Sequence, residues 1–404
     1  MPTILVILPT ATYRAPDFVR AAADLGLDLV VASEAGHALG DQMGDGFLEI
    51  DCRDPAASAA AIVSLAERRR LDAVVAADDQ GVVVAALAAE RLGLPHNPPD
   101  AARATRDKAL MRTLLAAAGV PQPRFEVLED DDPSDLDIGF PCVVKPLNLS
   151  GSRGVIRADD PDSMRRAIAR VREILREAGE GSRAPLIVEE YLSGAEVVVE
   201  GLLAPDGLQV LAILDKPDPM EGPFFEETIF VTPTRLDEVT REAVIEVVGR
   251  AVDALGLAFG PIHAEVRVSG DRVAVIEIAA RSIGGLCSRS LRFGLLGTSL
   301  EHLLLRAALG MPRRAMQREP RPSGVMMLPI PAEGFLRRVG WQEAAMEVPG
   351  ITALEITIPI GGRVRPLPEG DRYLGFLFAT GDDADGVEAS LREAHSLLEI
   401  VIEP

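Results

Sequence analysis

The first hundred residues alternate short apolar runs with helical patterns, and this alternation limits the fold more than any other feature. The predicted strands and helices are Ile4–Leu8, Leu29–Ala32 and Ala73–Ala76, and Pro16–Leu25, Pro55–Arg69 and Gln80–Leu92. Strands that alternate with helices predict a doubly wound parallel sheet. The loop after the first strand, residues 9–16, contains no glycine. The dinucleotide-binding fingerprint is therefore absent where it would have to lie.

The chain has 404 residues, too many for one ordinary core, and two or three domains or lobes are expected. Proline-rich stretches at 94–99 and 312–322 mark two boundaries. Between them we expect strands and long amphipathic helices, and residues 323–404 read as a small α+β module. The predicted fold class is thus α/β and α+β, multidomain.

Charge and hydropathy limit the partners and the compartment. The net charge of −21 argues against nucleic-acid binding, because a phosphate backbone requires a basic face. The apolar run Ile4–Leu8 is too short for a signal or membrane helix. Three scattered cysteines lack metal-binding spacing. We therefore expect a cytoplasmic protein without a membrane or nucleic-acid partner.

Lys145 ends the apolar strand Phe140–Lys145 and precedes a loop of small residues, Ser150-Gly151-Ser152-Arg-Gly. An ammonium beside a loop rich in backbone N–H groups and hydroxyls suits a phosphate. A lysine at a strand edge and an ordinary turn would give the same pattern. Local sequence leaves both interpretations open.

Two acids, Glu189 and Glu196, flank the segment Tyr191-Leu192-Ser-Gly between two predicted strands. Their carboxylates could accept hydrogen bonds from ribose hydroxyls or an adenine amino group, and Tyr191 and Leu192 could offer backbone groups. Solvated acids beside a turn would look the same.

Glu265 and Glu277 each interrupt an otherwise apolar strand, where an unpaired carboxylate is costly. A three-residue turn, 270–272, would place the two acids opposite each other. Facing carboxylates repel unless a cation lies between them, and oxygen ligands of this kind suit Mg²⁺. Cross-strand pairing with Arg267 or Arg272 is the alternative.

Three further residues are candidates for substrate chemistry. Arg281 lies four residues after Glu277, where a guanidinium could neutralise a transferring phosphoryl group or form a salt bridge. His263 faces the same way as Glu265 and suits either a substrate contact or a structural role. Glu227 lies in an acidic loop, 215–227, expected over the site, where it could grip an amine.

The order of these motifs resembles the ATP-grasp superfamily of carboxylate–amine ligases over essentially the whole chain. The resemblance implies a pre-grasp domain at 1–100, an N-lobe at 101–185, a C-lobe at 186–312 and a C-terminal domain at 323–404. It implies that Lys108 and Lys145 bind the nucleotide and that Ser150, Gly151 and Ser152 form the phosphate loop. It implies that Glu189, Tyr191 and Leu192 form the adenine hinge and that Glu196 is the ribose carboxylate. It also implies that Glu265 and Glu277 are the metal ligands and that Arg281 is the arginine that stabilises charge.

The tail is similar to the C-terminal domain of L-amino acid ligases through the segments Gly375–Gly381 and Val387–Ala394. The superfamily usually has Asn two residues after its second metal-binding Glu, where this chain has Ala279, so the number of bound ions stays open. The resemblance implies ATP with one or two Mg²⁺ ions, or Mn²⁺, and carboxylate and amine substrates joined through an acyl phosphate. It is also compatible with a homodimer.

Two alternatives stay open. An enzyme of the biotin-carboxylase or purine-biosynthetic type would activate bicarbonate or formate with the same fold. A regulatory protein that binds ATP without turnover would retain the nucleotide residues and tolerate Ala279.

Overall fold

The structure is a computed structural model that describes residues 1–10, 12–34, 46–181, 183–294, 297–311 and 317–404. None of the helices among these residues combines the length and the apolar composition that crossing a bilayer requires.

The N-terminal domain is a four-stranded parallel sheet between helices. Its elements are β1 (Thr3–Ile7), α1 (Ala15–Asp24), β2 (Asp28–Ser33), β3 (Phe47–Glu49), α2 (Pro55–Ala66), β4 (Ala73–Ala76) and α3 (Val82–Leu92). The strand order is β3-β2-β1-β4, which confirms the predicted doubly wound arrangement. Strand β1 is fully buried because alternate residues enter two cores, one on each face of the sheet.

Two helices follow, α4 (Pro99–Ala104) and α5 (Lys108–Ala117). The Asp107 carboxylate accepts hydrogen bonds from the first backbone N–H groups of α5, which fixes its start. Met111 and Leu115 of α5 pack into the core of the later C-lobe. These helices thus pack on the C-lobe core, and the division of the lobes at residue 101 stays a prediction.

The N-lobe sheet is antiparallel and lies on one long helix. Its elements are β5 (Phe125–Leu128), β6 (Cys142–Pro146), β7 (Ile156–Ala158), α6 (Pro161–Ala178) and β8 (Leu186–Glu190). Strand β8 pairs with both β5 and β6. Backbone pairing thus joins β8 to the N-lobe sheet, and the boundary at residue 186 stays a prediction.

The C-lobe contains a meander of long strands and a helix that covers it. Its elements are β9 (Ala195–Ala204), β10 (Gly207–Lys216), β11 (Ile229–Thr232), α7 (Glu238–Leu255), β12 (Gly260–Ser269), β13 (Arg272–Ala279), β14 (Arg292–Phe293), β15 (Thr298–Ser299) and α8 (Leu300–Ala308). Helix α7 begins after Asp237, whose carboxylate accepts from the Thr240 N–H, and ends at Gly256 in the left-handed region.

The last elements are β16 (Ser323–Leu328), β17 (Gly334–Gly340), α9 (Gln342–Met346), β18 (Ile351–Ile356), β19 (Arg363–Val364), β20 (Gly375–Thr380), α10 (Ala384–Leu397) and β21 (Glu399–Glu403). Three of these strands form a small sheet in the order β19-β17-β21. Others join the C-lobe, giving one eight-stranded antiparallel sheet in the order β13-β12-β9-β10-β11-β16-β20-β18. The sheet is therefore continuous across the predicted boundary at 312–322, of which 312–316 lie outside the described residues.

Candidate active site

One cavity of about 310 Å³ lies where the N-terminal domain, both lobes and the C-terminal module meet. Every site residue predicted from the sequence lines it, namely Lys108, Lys145, Ser150, Gly151, Ser152, Glu189, Tyr191, Leu192, Glu196, Glu227, His263, Glu265, Glu277 and Arg281. These residues come from segments up to 173 positions apart in sequence. The fold thus brings all of them together.

The two acids of the β12–β13 hairpin lie directly opposite each other, Glu265 against Glu277. The predicted turn length was wrong, because Ser269 pairs with Arg272 and the turn therefore has two residues rather than three. The register shifts by one residue between this turn and the acids, because Ile276 forms a β-bulge. The bulge restores the facing that an even-numbered turn would otherwise remove.

Lys108 and Lys145 enter the cavity from different elements. The Lys108 Nζ donates to the Leu149 carbonyl at 2.8 Å and lies 3.6 Å from Glu277 Oε1. The Lys145 Nζ lies 2.6 Å from Glu189 Oε2. Between them the loop turns through Gly151 and Ser152, both with positive φ, 65° and 55°. Positive φ is strained for serine, and strained residues of this kind cluster at ligand-binding sites.

Glu189 is held by two cations rather than facing the cavity freely. Its carboxylate accepts from Arg112 Nε at 2.8 Å and from Lys145, and the residue is 1% exposed. Burial alone would raise the pKa of Glu189, but Arg112 and Lys145 outweigh it and lower the pKa to about 2. The carboxylate therefore holds the Lys145 ammonium in place, and no local pattern in the sequence pointed to Arg112 as its second partner.

An apolar slot opens beside the strand that carries Lys145. Val143, Met220 and Phe225 form its core, with Tyr191 packed against them. The Tyr191 hydroxyl donates to the Met220 carbonyl at 3.3 Å, and the Arg157 guanidinium lies 4.3 Å from the ring centroid. A flat apolar slot with backbone groups at its edge suits a purine ring.

Glu196, Glu227 and Glu265 form the one group of three or more possible metal ligands among the described residues whose ligand atoms lie close together. The ammonium of Lys216 already lies among them, 2.6 Å from Glu196 Oε1, 3.6 Å from Glu265 Oε2 and in direct contact with Glu227. Burial disfavours the charged lysine, yet the three carboxylates raise the pKa of Lys216 well above its usual value. A cation of the chain itself therefore lies among these three acids and offsets part of their charge.

His263 contacts Glu200 through Nδ1, and its Nε2 lies 3.7 Å from Glu265 Oε1. Burial by itself disfavours the imidazolium, but Glu200 outweighs it and raises the pKa of His263 to about 9. Glu200 also accepts from the Ile283 backbone N–H at 3.0 Å. Sequence analysis missed Glu200, which lies opposite His263 in the β9–β12 pairing.

Arg281 lies against the N-terminal domain. Its Nη2 is 3.1 Å from Asp79 Oδ2, and Arg106 approaches the other Asp79 oxygen at 3.9 Å while donating to the Ser150 hydroxyl at 3.0 Å. Burial would raise the pKa of Asp79, but Arg281 and Arg106 hold it below its usual range. Sequence analysis missed Asp79, although the carboxyl ends of parallel strands are where open α/β sheets bind ligands and Asp79 follows β4.

The residues present fit ATP with Mg²⁺. Glu265 and Glu277 supply hard oxygen ligands that face one another, as Mg²⁺ prefers. Two lysines and a loop of small residues, whose backbone N–H groups could bind phosphates, also line the cavity, as does the apolar slot. Ala279, where the superfamily usually has Asn, is 2% exposed and offers no side-chain oxygen.

Comparison with known proteins gives the family. Residues 138–290 match the ATP-grasp domain model, 19–96 the ATP-grasp N-terminal domain and 326–403 the L-amino acid ligase C-terminal domain 2. The chain is 30% identical to phosphoribosylamine–glycine ligase of Mycobacterium leprae (strain TN) over 349 residues, 80% of this chain and 79% of that protein. This chain belongs to the ATP-grasp superfamily. ATP-grasp domains bind ATP, generally with Mg²⁺.

The ATP-grasp chain carries the C-terminal domain of the L-amino acid ligase branch. It is 32% identical over 243 residues to alanine–anticapsin ligase of Bacillus subtilis (strain 168), covering 55% of this chain. The match spans about half of that relative, 51% of its length. The L-amino acid ligase of Bacillus licheniformis has the same fold, with a TM-score of 0.84, 24% identity and coverage of 100% of this chain and 99% of that one.

Proposed function

We propose that the protein is an ATP-dependent carboxylate–amine ligase that joins two amino-acid substrates through an acyl phosphate. The observation that carries the proposal is that one cavity holds a facing pair of acids, two lysines beside a phosphate loop, and Arg281. The match of the tail to the L-amino acid ligase C-terminal domain supports amino acids as the substrate class.

In this proposal the N-lobe and the C-lobe divide the nucleotide between them. The apolar slot around Tyr191 takes the adenine, and Leu192 offers backbone groups at its edge. The ammonium of Lys145, oriented by Glu189, and that of Lys108 bind phosphate oxygens. Glu196 lies at the ribose end, although Lys216 and Arg267 already contact its carboxylate at 2.6 and 2.7 Å.

Glu265 and Glu277 are proposed to hold Mg²⁺, or Mn²⁺, against the phosphates. A divalent cation there would neutralise charge that builds up on the phosphoryl oxygens. Lys216, 3.6 Å from Glu265, adds a fixed positive charge beside this pair. With Ala279 in place of a third ligand, the residues present favour a single ion.

The reaction needs no covalent nucleophile from the chain. A carboxylate oxygen of the first substrate forms a bond to the γ-phosphorus while the bond to the bridging oxygen breaks and ADP leaves. A neutral amine then attacks the acyl carbon, phosphate leaves with one former carboxylate oxygen, and the proton lost from the amine nitrogen goes to the phosphate. Arg281 would stabilise the negative charge of both steps, and the enclosed cavity would exclude water from the acyl phosphate.

Oxygen transfer tests the proposal directly. The protein is incubated with ATP, Mg²⁺ and pairs of amino acids whose carboxylates carry ¹⁸O, and phosphate and product are analysed by mass spectrometry. We expect one ¹⁸O per released phosphate and a dipeptide whose formation needs both acid and amine. Release of ADP that depends on bicarbonate or formate would favour the purine-biosynthetic type, and ATP binding without turnover in any mixture would favour a regulator. Size-exclusion chromatography tests the homodimer, which stays a prediction.

A further inference from the structure

Arg14 is a buried guanidinium that the proposed reaction leaves without a role. It lies between β1 and α1 and is 1% exposed. Its Nη1 donates to the Ala77 carbonyl at 3.1 Å and to the Ser282 hydroxyl at 2.8 Å, and its Nη2 donates to Glu301 Oε1 at 2.8 Å. One side chain therefore joins the start of α1 and the end of β4 to two segments of the C-lobe.

The partners of Arg14 adjoin the Asp79–Arg281 pair on both sides. Ala77 precedes Asp79 by two residues, and Ser282 directly follows Arg281. Asp79 and Arg281 themselves meet at 3.1 Å across the domain interface. The guanidinium of Arg14 thus fixes both chain segments that carry this ion pair.

Stability alone does not explain a residue of this kind. Replacing a buried ion pair by apolar residues is often neutral or stabilising, so the pair formed with Glu301 is weak evidence for a purely structural role. The Nε of Arg14 has no hydrogen-bond partner within the described parts of the chain, which leaves a buried donor unsatisfied. What the planar guanidinium does supply is a rigid fork that can hold several acceptors at fixed angles.

We propose that Arg14 is a positioning residue that fixes Arg281 towards the cavity by holding Ser282 and the segment of Asp79. The inference rests on the proposed function, in which Arg281 stabilises negative charge. Lysine in this place would keep the charge and lose the fork, so the guanidinium of Arg281 would be displaced while the nucleotide residues stay where they are. Misplacement of a charged group by about 1 Å costs on the order of 100-fold in rate.

Kinetics of Arg14→Lys provide the first test. We expect kcat to fall on the order of 100-fold, with the Kd for ATP and the melting temperature close to wild type. Ser282→Ala removes a single acceptor, keeps the fold and should lower kcat about tenfold. Arg289→Lys is the matched control, because Arg289 also bridges the N-terminal domain, 2.9 Å from Asp17, and a distant strand, 3.1 Å from Glu355. Its kcat should be unchanged.

The second test observes the Arg281 side chain by NMR and does not depend on turnover. The guanidinium ¹⁵N–¹H signals of Arg281, assigned by their loss in Arg281→Lys, should be resolved in the wild type and averaged by rotation in Arg14→Lys. Unchanged signals of Arg281 in Arg14→Lys would overturn the inference. An unchanged kcat in both Arg14→Lys and Ser282→Ala would also overturn it, as would a parallel loss of kcat, ATP affinity and melting temperature. If the wild type forms no amide from any pair, the proposed function fails, and the signals of Arg281 still decide the role of Arg14.

Discussion

Glu189→Gln tests whether this acid orients Lys145 or touches the nucleotide. In the wild type the pKa of Glu189 is about 2 rather than 4.5, because Arg112 and Lys145 hold it charged in spite of burial. That difference corresponds to about 3 kcal/mol of stability at neutral pH. Removing one partner of a buried ion pair typically costs about 3–5 kcal/mol, which agrees in magnitude. We therefore expect Glu189→Gln to lower the free energy of unfolding by about 3 kcal/mol.

The direction in which this stability contribution changes with pH follows from the depressed pKa of Glu189. A carboxyl group whose pKa is depressed in the folded state contributes stability that is fully present above its unfolded value and is lost as the pH falls through its folded value. The difference in unfolding free energy between wild type and Glu189→Gln should thus be constant above about pH 4.5 and shrink towards pH 2. Urea denaturation at a series of pH values measures it.

Glu190→Gln is the matched control for this experiment. Glu190 is the next residue on β8 and is 24% exposed, with Arg272 at 3.2 Å. Exposed pairs of this kind contribute about 1 kcal/mol or less, so this variant should be nearly as stable as wild type. A Glu189→Gln variant of normal stability but much weaker ATP binding would refute the orienting role and favour direct contact with the nucleotide.

Three further predictions concern the hairpin, the arginine and one glycine. Glu277→Gln should lower Mg²⁺-dependent turnover about 100-fold or more with an unchanged circular dichroism spectrum, and full activity would remove the metal assignment. Arg281→Met should lower kcat about 100-fold while the Kd for ATP stays near wild type, whereas an unchanged kcat would leave only the salt bridge with Asp79. Gly194→Ala should destabilise by about 2 kcal/mol or more in thermal unfolding, because its φ is 113° and its Cβ would lie 2.2 Å from the Val268 carbonyl oxygen. Gly249→Ala lies in the interior of α7, where an added Cβ would meet no atom within 4 Å beyond the adjacent residues and the helix backbone. It should instead stabilise by about 0.5–1 kcal/mol, and equal effects of the two substitutions would contradict the steric argument.

The facing of Glu265 and Glu277 could be predicted from sequence because an acid inside an apolar strand needs a cation or partner. How the chain achieves it could not. The turn of Gly270 and Asp271 has two residues, and Ile276 supplies the missing step as a bulge. A bulged isoleucine looks like any other strand residue, since the bulge depends on pairing with β12 rather than on a local signal.

The partners of the buried acids were equally hidden. Glu189 and Glu196 had the chemistry of nucleotide ligands, yet each carboxylate is held by two cations. Arg112 is 77 residues from Glu189 and Arg267 is 71 residues from Glu196. Contacts between residues so far apart in sequence depend on how the lobes pack, and short sequence motifs carry no information about that packing. Sequence thus identified fourteen residues that line the cavity and missed the distant contacts that hold two of their carboxylates.

The pairing of β11 with β16 has a consequence for recombination between relatives. An exchange that cuts the chain near residue 322 would pair β11 of one parent with β16 of the other, and a poor fit there would expose the edge of β11, which is now buried. Exposed edges of this kind promote aggregation. Chimeras meant to trade substrate preferences should therefore keep β16 and β20 with the C-lobe and exchange only β17, β19 and β21, which pair with one another. Exchange of the whole C-terminal module would require β11 and β16, the two strands that pair at the boundary, to change together.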